Sequence, residues 1–183
     1  MTCIAAVAEK NVVYMGGDSA ASSNTILDLP AIEKVIRRGE MLIGCSGSLR
    51  ALNLITHALE IPQCDPKANS EKWLVNVFVD QLRKCLLNGG NAKKDGTGEG
   101  MDASVLVAFR GSIYSIEGDY MVMKHGHGYG AIGSGGDVAH GSLYSTVGKP
   151  PLTRVRLALC AAHRFTTNVR PPFLTKRLVY AKG

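Results

Sequence analysis

The order of secondary-structure elements constrains this chain more than any single motif: strands, helices, strands, helices and one last strand. Strict alternation of strand and helix would build a doubly wound parallel sheet, and this order does not. It fits two mostly antiparallel sheets with helices on both outer faces, an α+β architecture. Thr2 to Val7 and Val12 to Gly17 are small and apolar with no helical period, and Glu9-Lys10-Asn11 reads as the turn between them. A β-hairpin therefore opens the chain. Ser19 to Pro30 reads as loop or short strands. Lys34 to Arg38 and Met41 to Cys45 make a second hairpin across Gly39-Glu40. Ser46-Gly47-Ser48 then breaks the strand and caps a helix over Leu49 to Leu59.

The clearest helix is Ser70 to Asn88. Trp73, Val77, Phe78, Leu82, Cys85 and Leu86 fall on one face of a 3.6-residue period, with Ser70 as N-cap and Gly89 as the stop. Asn88 to Gly100, rich in Gly and Lys, reads as a loop. Strands follow at Ala103 to Phe109, Ile113 to Ile116, Met121 to Lys124 and Tyr129 to Ile132. Helices are expected near Asp137 to Val147 and Leu152 to Phe165, and a final strand near Leu174 to Tyr180. No repeat, linker or low-complexity segment interrupts the pattern, so 1–183 is expected to be a single domain, and its length suffices for a sizeable core.

Composition excludes several classes. No apolar run reaches the length of a membrane span, so no membrane role is expected. The N-terminus lacks a basic region before an apolar stretch, and Glu9 and Lys10 interrupt it early, so it does not read as a signal peptide. A cytoplasmic protein is the expectation. The five cysteines, Cys3, Cys45, Cys64, Cys85 and Cys160, are odd in number and form no C-x-x-C, which argues for buried thiols rather than disulfides or a zinc knuckle. Net charge is +6, and no Asp or Glu follows Asp137 while eight Lys or Arg do. Those cations stand singly or in pairs among apolar residues with no aromatic platform. Nucleic acid is therefore not the expected partner; an acidic protein or plain solubility is.

One residue could carry nucleophilic chemistry. Thr2 directly follows Met1, and its small side chain lets an aminopeptidase expose it. A hydroxyl is a weak nucleophile until a base takes its proton, and an α-amine on the same residue can be that base. Such an amine titrates near about 7.7–8.0, so part of it is neutral at physiological pH. Alone, Thr2 is an ordinary second residue, and the context changes this. The opening hairpin brings Asp18, in Gly16-Gly17-Asp18-Ser19, back beside the first strand and hence near Thr2. Lys34 held by Asp18 would supply fixed positive charge that favours the neutral amine, whereas a solvated pair would contribute little. Gly47, at a helix N-terminus, offers an unobstructed N–H suited to an oxyanion.

The sequence resembles the proteasome β and HslV-type peptidases over nearly its whole length. The resemblance rests on Gly17-Asp18, Asn24-Thr25, Lys34-Val35, the small-residue turn at Gly47, Ala131-Ile132-Gly133-Ser134-Gly135-Gly136, and Thr167-Asn168. HslV is the nearer pattern, through Asn24-Thr25 and the Ala131–Gly136 run. The resemblance implies a four-layer αββα sandwich and a threonine endopeptidase in which Thr2 attacks the scissile carbonyl to give an acyl-enzyme. Asp18 and Lys34 would hold the charge network, Gly47 the oxyanion, and Ser134 the Thr2 amine. Ala21, Ile32 and Cys45 would line a pocket for a modest apolar side chain. The partners implied are a peptide or unfolded protein substrate, a homo-oligomeric ring and an ATP-dependent unfoldase. No cofactor is required, although backbone carbonyls at Ala161, Arg164 and Thr167 would match a monovalent or divalent cation site. Three positions depart from the pattern: Ala20 replaces a common Arg or Gln, Cys3 a common Thr, and Arg164 a frequent acid.

Two other readings use the same fold. A retained Met1 would lock the Thr2 nitrogen in a peptide bond and leave a non-catalytic structural subunit. A small-molecule amidase would use the same nucleophile without a chamber. Other signals are discounted. Gly128 to Gly133 matches G-x-G-x-x-G but lies in no βαβ unit and lacks the downstream acid. His125-Gly126-His127 has no third ligand in sequence and reads as a loop, and Cys3 as nucleophile would require loss of Thr2.

Overall fold

The computed structural model describes residues 2–22, 27–29, 32–95 and 98–181. The first hairpin pairs β1 (Ile4–Glu9) with β2 (Val12–Gly17). It turns at Lys10, whose φ is 54°. The short strands β3 (Ala21–Ser22) and β4 (Leu27–Asp28) pair with each other, and β5 (Val35–Arg38) returns along β6 (Met41–Gly47). Helices α1 (Leu49–His57), α2 (Ser70–Trp73) and α3 (Val79–Asn88) follow, with a π-helical turn Leu74–Phe78 between the last two. A small hairpin β7 (Ala92–Asp95) and β8 (Gly98–Met101) precedes β9 (Ala103–Phe109), β10 (Ser112–Ile116), β11 (Val122–Lys124) and β12 (Tyr129–Ile132). Helices α4 (Gly136–Ser145) and α5 (Pro151–Phe165) and strand β13 (Leu174–Val179) complete the chain.

Two antiparallel sheets result, ordered β12-β1-β2-β13 and β11-β10-β9-β6-β5. Side-chain alternation sorts each strand between two interfaces. In β6, Met41, Ile43 and Cys45 face α1–α3, while Leu42 faces the other sheet. In β9, Val105 and Val107 take the helix side, and Leu106 and Ala108 the sheet side. In β1, Ala5 and Val7 meet α4 and α5, while Ile4 and Ala6 lie between the sheets. Three apolar zones thus separate four layers, α-β-β-α. Central strands buried on both faces read as continuous apolar runs for this reason. Each fully buried Leu or Ile contributes on the order of 1.5–3 kcal/mol.

Close approach fixes some glycines. A Cβ at Gly44 would meet Ile4 Cγ2 at 2.7 Å across the sheet interface. At Gly16 it would meet Val155 Cγ1 of α5 at 2.9 Å.

Three sequence expectations need correction. The second helix is capped by Asn69, whose side chain accepts from Lys72 N, and not by Ser70. The π turn places Leu74 and Val79 in the core beside Trp73 and Phe78, while Val77 is only partly buried. The expected loop Asn88 to Gly100 contains β7 and β8. This two-stranded ribbon of Lys, Asp, Glu and Gly has no apolar alternation to announce it. Among the described residues, no helix is long and apolar enough to cross a membrane.

Candidate active site

The hairpin register brings Asp18 to the start of β1. Asp18 N–H donates to Cys3 O at 3.2 Å, and Cys3 N–H returns a bond to Asp18 Oδ1 at 3.0 Å. Lys34 enters from the residue before β5 and donates to Asp18 Oδ1 at 3.0 Å and to Ala20 O at 2.5 Å. Two further N–H groups face Asp18 Oδ2, those of Ala20 at 3.1 Å and Arg170 at 3.5 Å. The carboxylate is thus surrounded by donors, which is how a buried anion becomes tolerable. The Asp18 and Lys34 side chains are 0% and 3% exposed. Burial pushes the Lys34 ammonium below the ordinary lysine value, and the Asp18 charge and hydrogen bond oppose that shift.

Thr2 sits at the end of β1 with the parity of Ile4 and Ala6, and is 4% exposed. Its nitrogen lies 3.3 Å from Ser134 Oγ, and its carbonyl accepts from Gly135 N–H at 3.2 Å and faces Ser134 Oγ at 3.4 Å. The turn after β12 achieves this because Gly133 adopts φ +91°. A Cβ there would run into the Thr2 carbonyl and stand 3.0 Å from Ser46 Oγ. Glycine meets both demands.

Gly47 ends β6. Cys45 N–H donates to Lys34 O at 3.0 Å, so alternation along the strand directs the Gly47 N–H to the Lys34 side as well. The next N–H, of Ser48, turns the other way, to Asp102 O at 2.8 Å. Ser48 Oγ caps α1 by accepting from Ala51 N–H. The Gly47 φ is +101°, and a Cβ there would meet Asp102 O at 2.6 Å.

The structure therefore brings Thr2, Asp18, Lys34 and Ser134 together and aims the Gly47 N–H toward the same end of the sandwich. The three expected pocket residues are placed less tightly. Ile32 packs on the cluster that contains Cys45, itself 3% exposed, and Ala21 lies half-buried in β3. Asn24 and Thr25 fall outside the described residues. Cys3 points away from the site, into the layer under α4 and α5. Burial, followed by the Asp18 charge, pushes its thiol up to about 12, which suits a structural thiol.

Sequence reasoning missed the segment that closes on Asp18 from behind. Ser19 N–H donates to Arg170 O at 3.1 Å and Ser19 Oγ to Pro172 O at 2.6 Å, which holds the Arg170 N–H against Asp18. No local signal links residues so far apart in the chain.

The expected cation position lies at the C-terminal end of α5. Arg170 already donates there, to Thr166 O at 3.3 Å and Val169 O at 2.8 Å. Arg164 and Thr167 line the same hollow with Arg170 and His163, while Ala161 sits a turn earlier on the helix. Among the described residues, Arg170 donates to none of the three carbonyls expected to hold a cation, those of Ala161, Arg164 and Thr167, but its guanidinium and that of Arg164 line the hollow beside them and make a further positive charge there costly. Among the described residues, no group of three His, Cys, Asp or Glu is arranged to hold a metal.

No family model matches the sequence, and no curated protein matches it. Solved structures do match. The BPH of Thiobacillus denitrificans in complex with epoxomicin aligns at TM-score 0.83 and 19% identity over 98% of this chain and all of that one. A second BPH structure covers both chains completely at the same score and identity. The eukaryotic HslV of Trypanosoma brucei aligns at TM-score 0.69 and 20% identity over 97% and 99%. The chain has the proteasome β/HslV-like fold, an αββα sandwich.

Proposed function

We propose that this chain is a threonine-type endopeptidase whose nucleophile is Thr2, released by removal of Met1. The observation that supports it most is the convergence of the Thr2 nitrogen, Ser134 Oγ and a buried Asp18–Lys34 pair. A structural ion pair has no need of a threonine nitrogen beside it. The freed α-amine takes the proton of Thr2 Oγ as the oxygen attacks the scissile carbonyl. Fixed positive charge at Lys34 favours the neutral amine, and Ser134 orients it. The Gly47 N–H donates to the oxyanion that forms. Collapse breaks the C–N bond, the amine passes its proton to the leaving nitrogen, and Thr2 is left as an ester. Water, deprotonated by the same amine, then cleaves the ester and restores the hydroxyl.

Peptides or unfolded proteins are the proposed substrates, with Ala21, Ile32 and Cys45 shaping the side-chain pocket. A homo-oligomeric ring fed by an ATP-dependent unfoldase, in the cytoplasm, completes the proposal. The BPH match in complex with epoxomicin suggests the probe. Intact mass is measured before and after treatment with an epoxyketone. The expected result is a chain lacking Met1 that gains one probe. A chain that keeps Met1 and takes up none would refute the proposal and favour a non-catalytic subunit on this fold.

A further inference from the structure

We infer that the hollow at the C-terminal end of α5 is a site for a small oxyanion of the phosphate or sulfate class. His163, Arg164, Phe165, Thr166, Thr167 and Arg170 line it. None of these is acidic, and the sequence holds no Asp or Glu after Asp137. The end of a helix presents carbonyls and partial negative charge, a setting that by itself attracts cations. Arg170 fills that role internally through its bonds to Thr166 O and Val169 O. Those bonds, and a 3.5 Å approach to His163 Nδ1, all use one guanidinium nitrogen. Among the described residues, the other two Arg170 side-chain nitrogens have no partner.

Other donor side chains line the same hollow. Arg164 is exposed and forms no ion pair or hydrogen bond among the described residues. Thr167 Oγ1 accepts from Asn168 Nδ2 at 2.7 Å, which leaves its own proton to donate. His163 Nδ1 donates to Val169 O at 2.8 Å, so Nε2 of the neutral ring is an acceptor and adds no donor to the hollow. Two guanidinium groups and a threonine hydroxyl with no competing carboxylate suit an oxyanion, because forked N–H donors match its oxygens. The same charges repel a metal cation. This inference does not rest on the proposed peptidase chemistry, and a binding readout tests it separately.

The test is calorimetric titration of the full-length protein with inorganic phosphate, against sodium chloride at matched ionic strength. Saturable binding of one phosphate per chain is expected. Arg164→Ala, a surface change that spares the core, should weaken it by about tenfold or more, as loss of a charge-assisted bond implies. Thr167→Val should weaken it by a smaller factor. Titration with AMP separates two sources of the same chemistry: binding of AMP would indicate a phosphate carried on a larger ligand, and binding of inorganic phosphate alone the free ion. Absence of saturable phosphate binding, unchanged affinity in Arg164→Ala, or saturable binding of potassium, magnesium or calcium ions in this hollow would overturn the assignment.

Discussion

Replacing Asp18 with Asn tests the electrostatic core of the site. The side chain keeps its shape, but only one of its two terminal atoms remains an acceptor. In the native chain Oδ1 receives Cys3 N–H and Lys34 Nζ, and Oδ2 faces the N–H groups of Ala20 and Arg170. Whichever way the amide turns, its NH2 meets donors, and the buried Lys34 charge loses its counter-ion. Breaking a buried pair by removing one partner costs about 3–5 kcal/mol, and the remaining amide acceptor places the expectation near ~3 kcal/mol. For a chain of this size that corresponds to a fall in Tm of about 6–12 °C. The sign of the pH dependence follows from Lys34. Burial already lowers its pKa, and Asp18 is the group that holds it up. Without Asp18 the folded chain releases that proton earlier still, while the unfolded chain keeps it up to about 10.4. Between the two values the folded state binds fewer protons, so stability rises with pH and the deficit shrinks. Urea unfolding at fixed protein concentration, near neutrality and again in alkaline buffer, measures both effects. Adding Lys34→Met should recover much of the loss, because an apolar side chain removes the unpaired charge. A deficit under about 1 kcal/mol, or one that does not shrink at alkaline pH, would refute this reasoning.

Other outcomes follow from the same geometry. Thr2→Ala is expected to leave the chain folded, at a cost of about 1 kcal/mol, and to abolish turnover of a fluorogenic peptide; residual hydrolysis would remove Thr2 from the mechanism. Lys34→Ala should be similarly inactive in that assay, and near-normal turnover would sink the role given to its charge. Gly133→Ala forces a Cβ into the Thr2 carbonyl at a positive φ, so turnover and labelling by an epoxyketone should fall together, and full labelling would show that the turn adapts. Burial pushes the Cys3 and Cys45 thiols up to about 12, which leaves a thiolate fraction on the order of 10⁻⁴ at pH 8. Iodoacetamide should therefore modify the exposed Cys160 first, as read by peptide mass spectrometry.

Most strands were legible because their burial is extreme. Ala103–Phe109 and Tyr129–Ile132 agree with the sequence reading at both ends. A run apolar on both faces has few other solutions. The ribbon of β7 and β8 was not legible, since neither of its strands carries an apolar stripe. The π turn was hidden for a different reason: one extra residue in a helix shifts the buried face without changing composition. Within the site, Asp18 was within reach of reasoning because a tight hairpin fixes which residues lie opposite. Arg170 was not, because its N–H reaches Asp18 only after α5 and the following segment have folded back over β2.

The sequence by itself determined the architecture and the candidate nucleophile. Burial periodicity is local, and the order of strands and helices leaves few ways to cover two sheets. It also pointed to Lys34, by its place at the start of a strand, and to Gly47, by its bare N–H before a helix, while Ser134 came from the family resemblance of the Ala131–Gly136 run. Only the tertiary structure decided how charge is distributed. That Asp18 is ringed by donors, that Ser19 clamps the 170–172 segment, and that Arg170 occupies the end of α5 depend on contacts between distant parts of the chain. Electrostatic energy depends on separation and burial in space, and neither quantity is written in the order of residues.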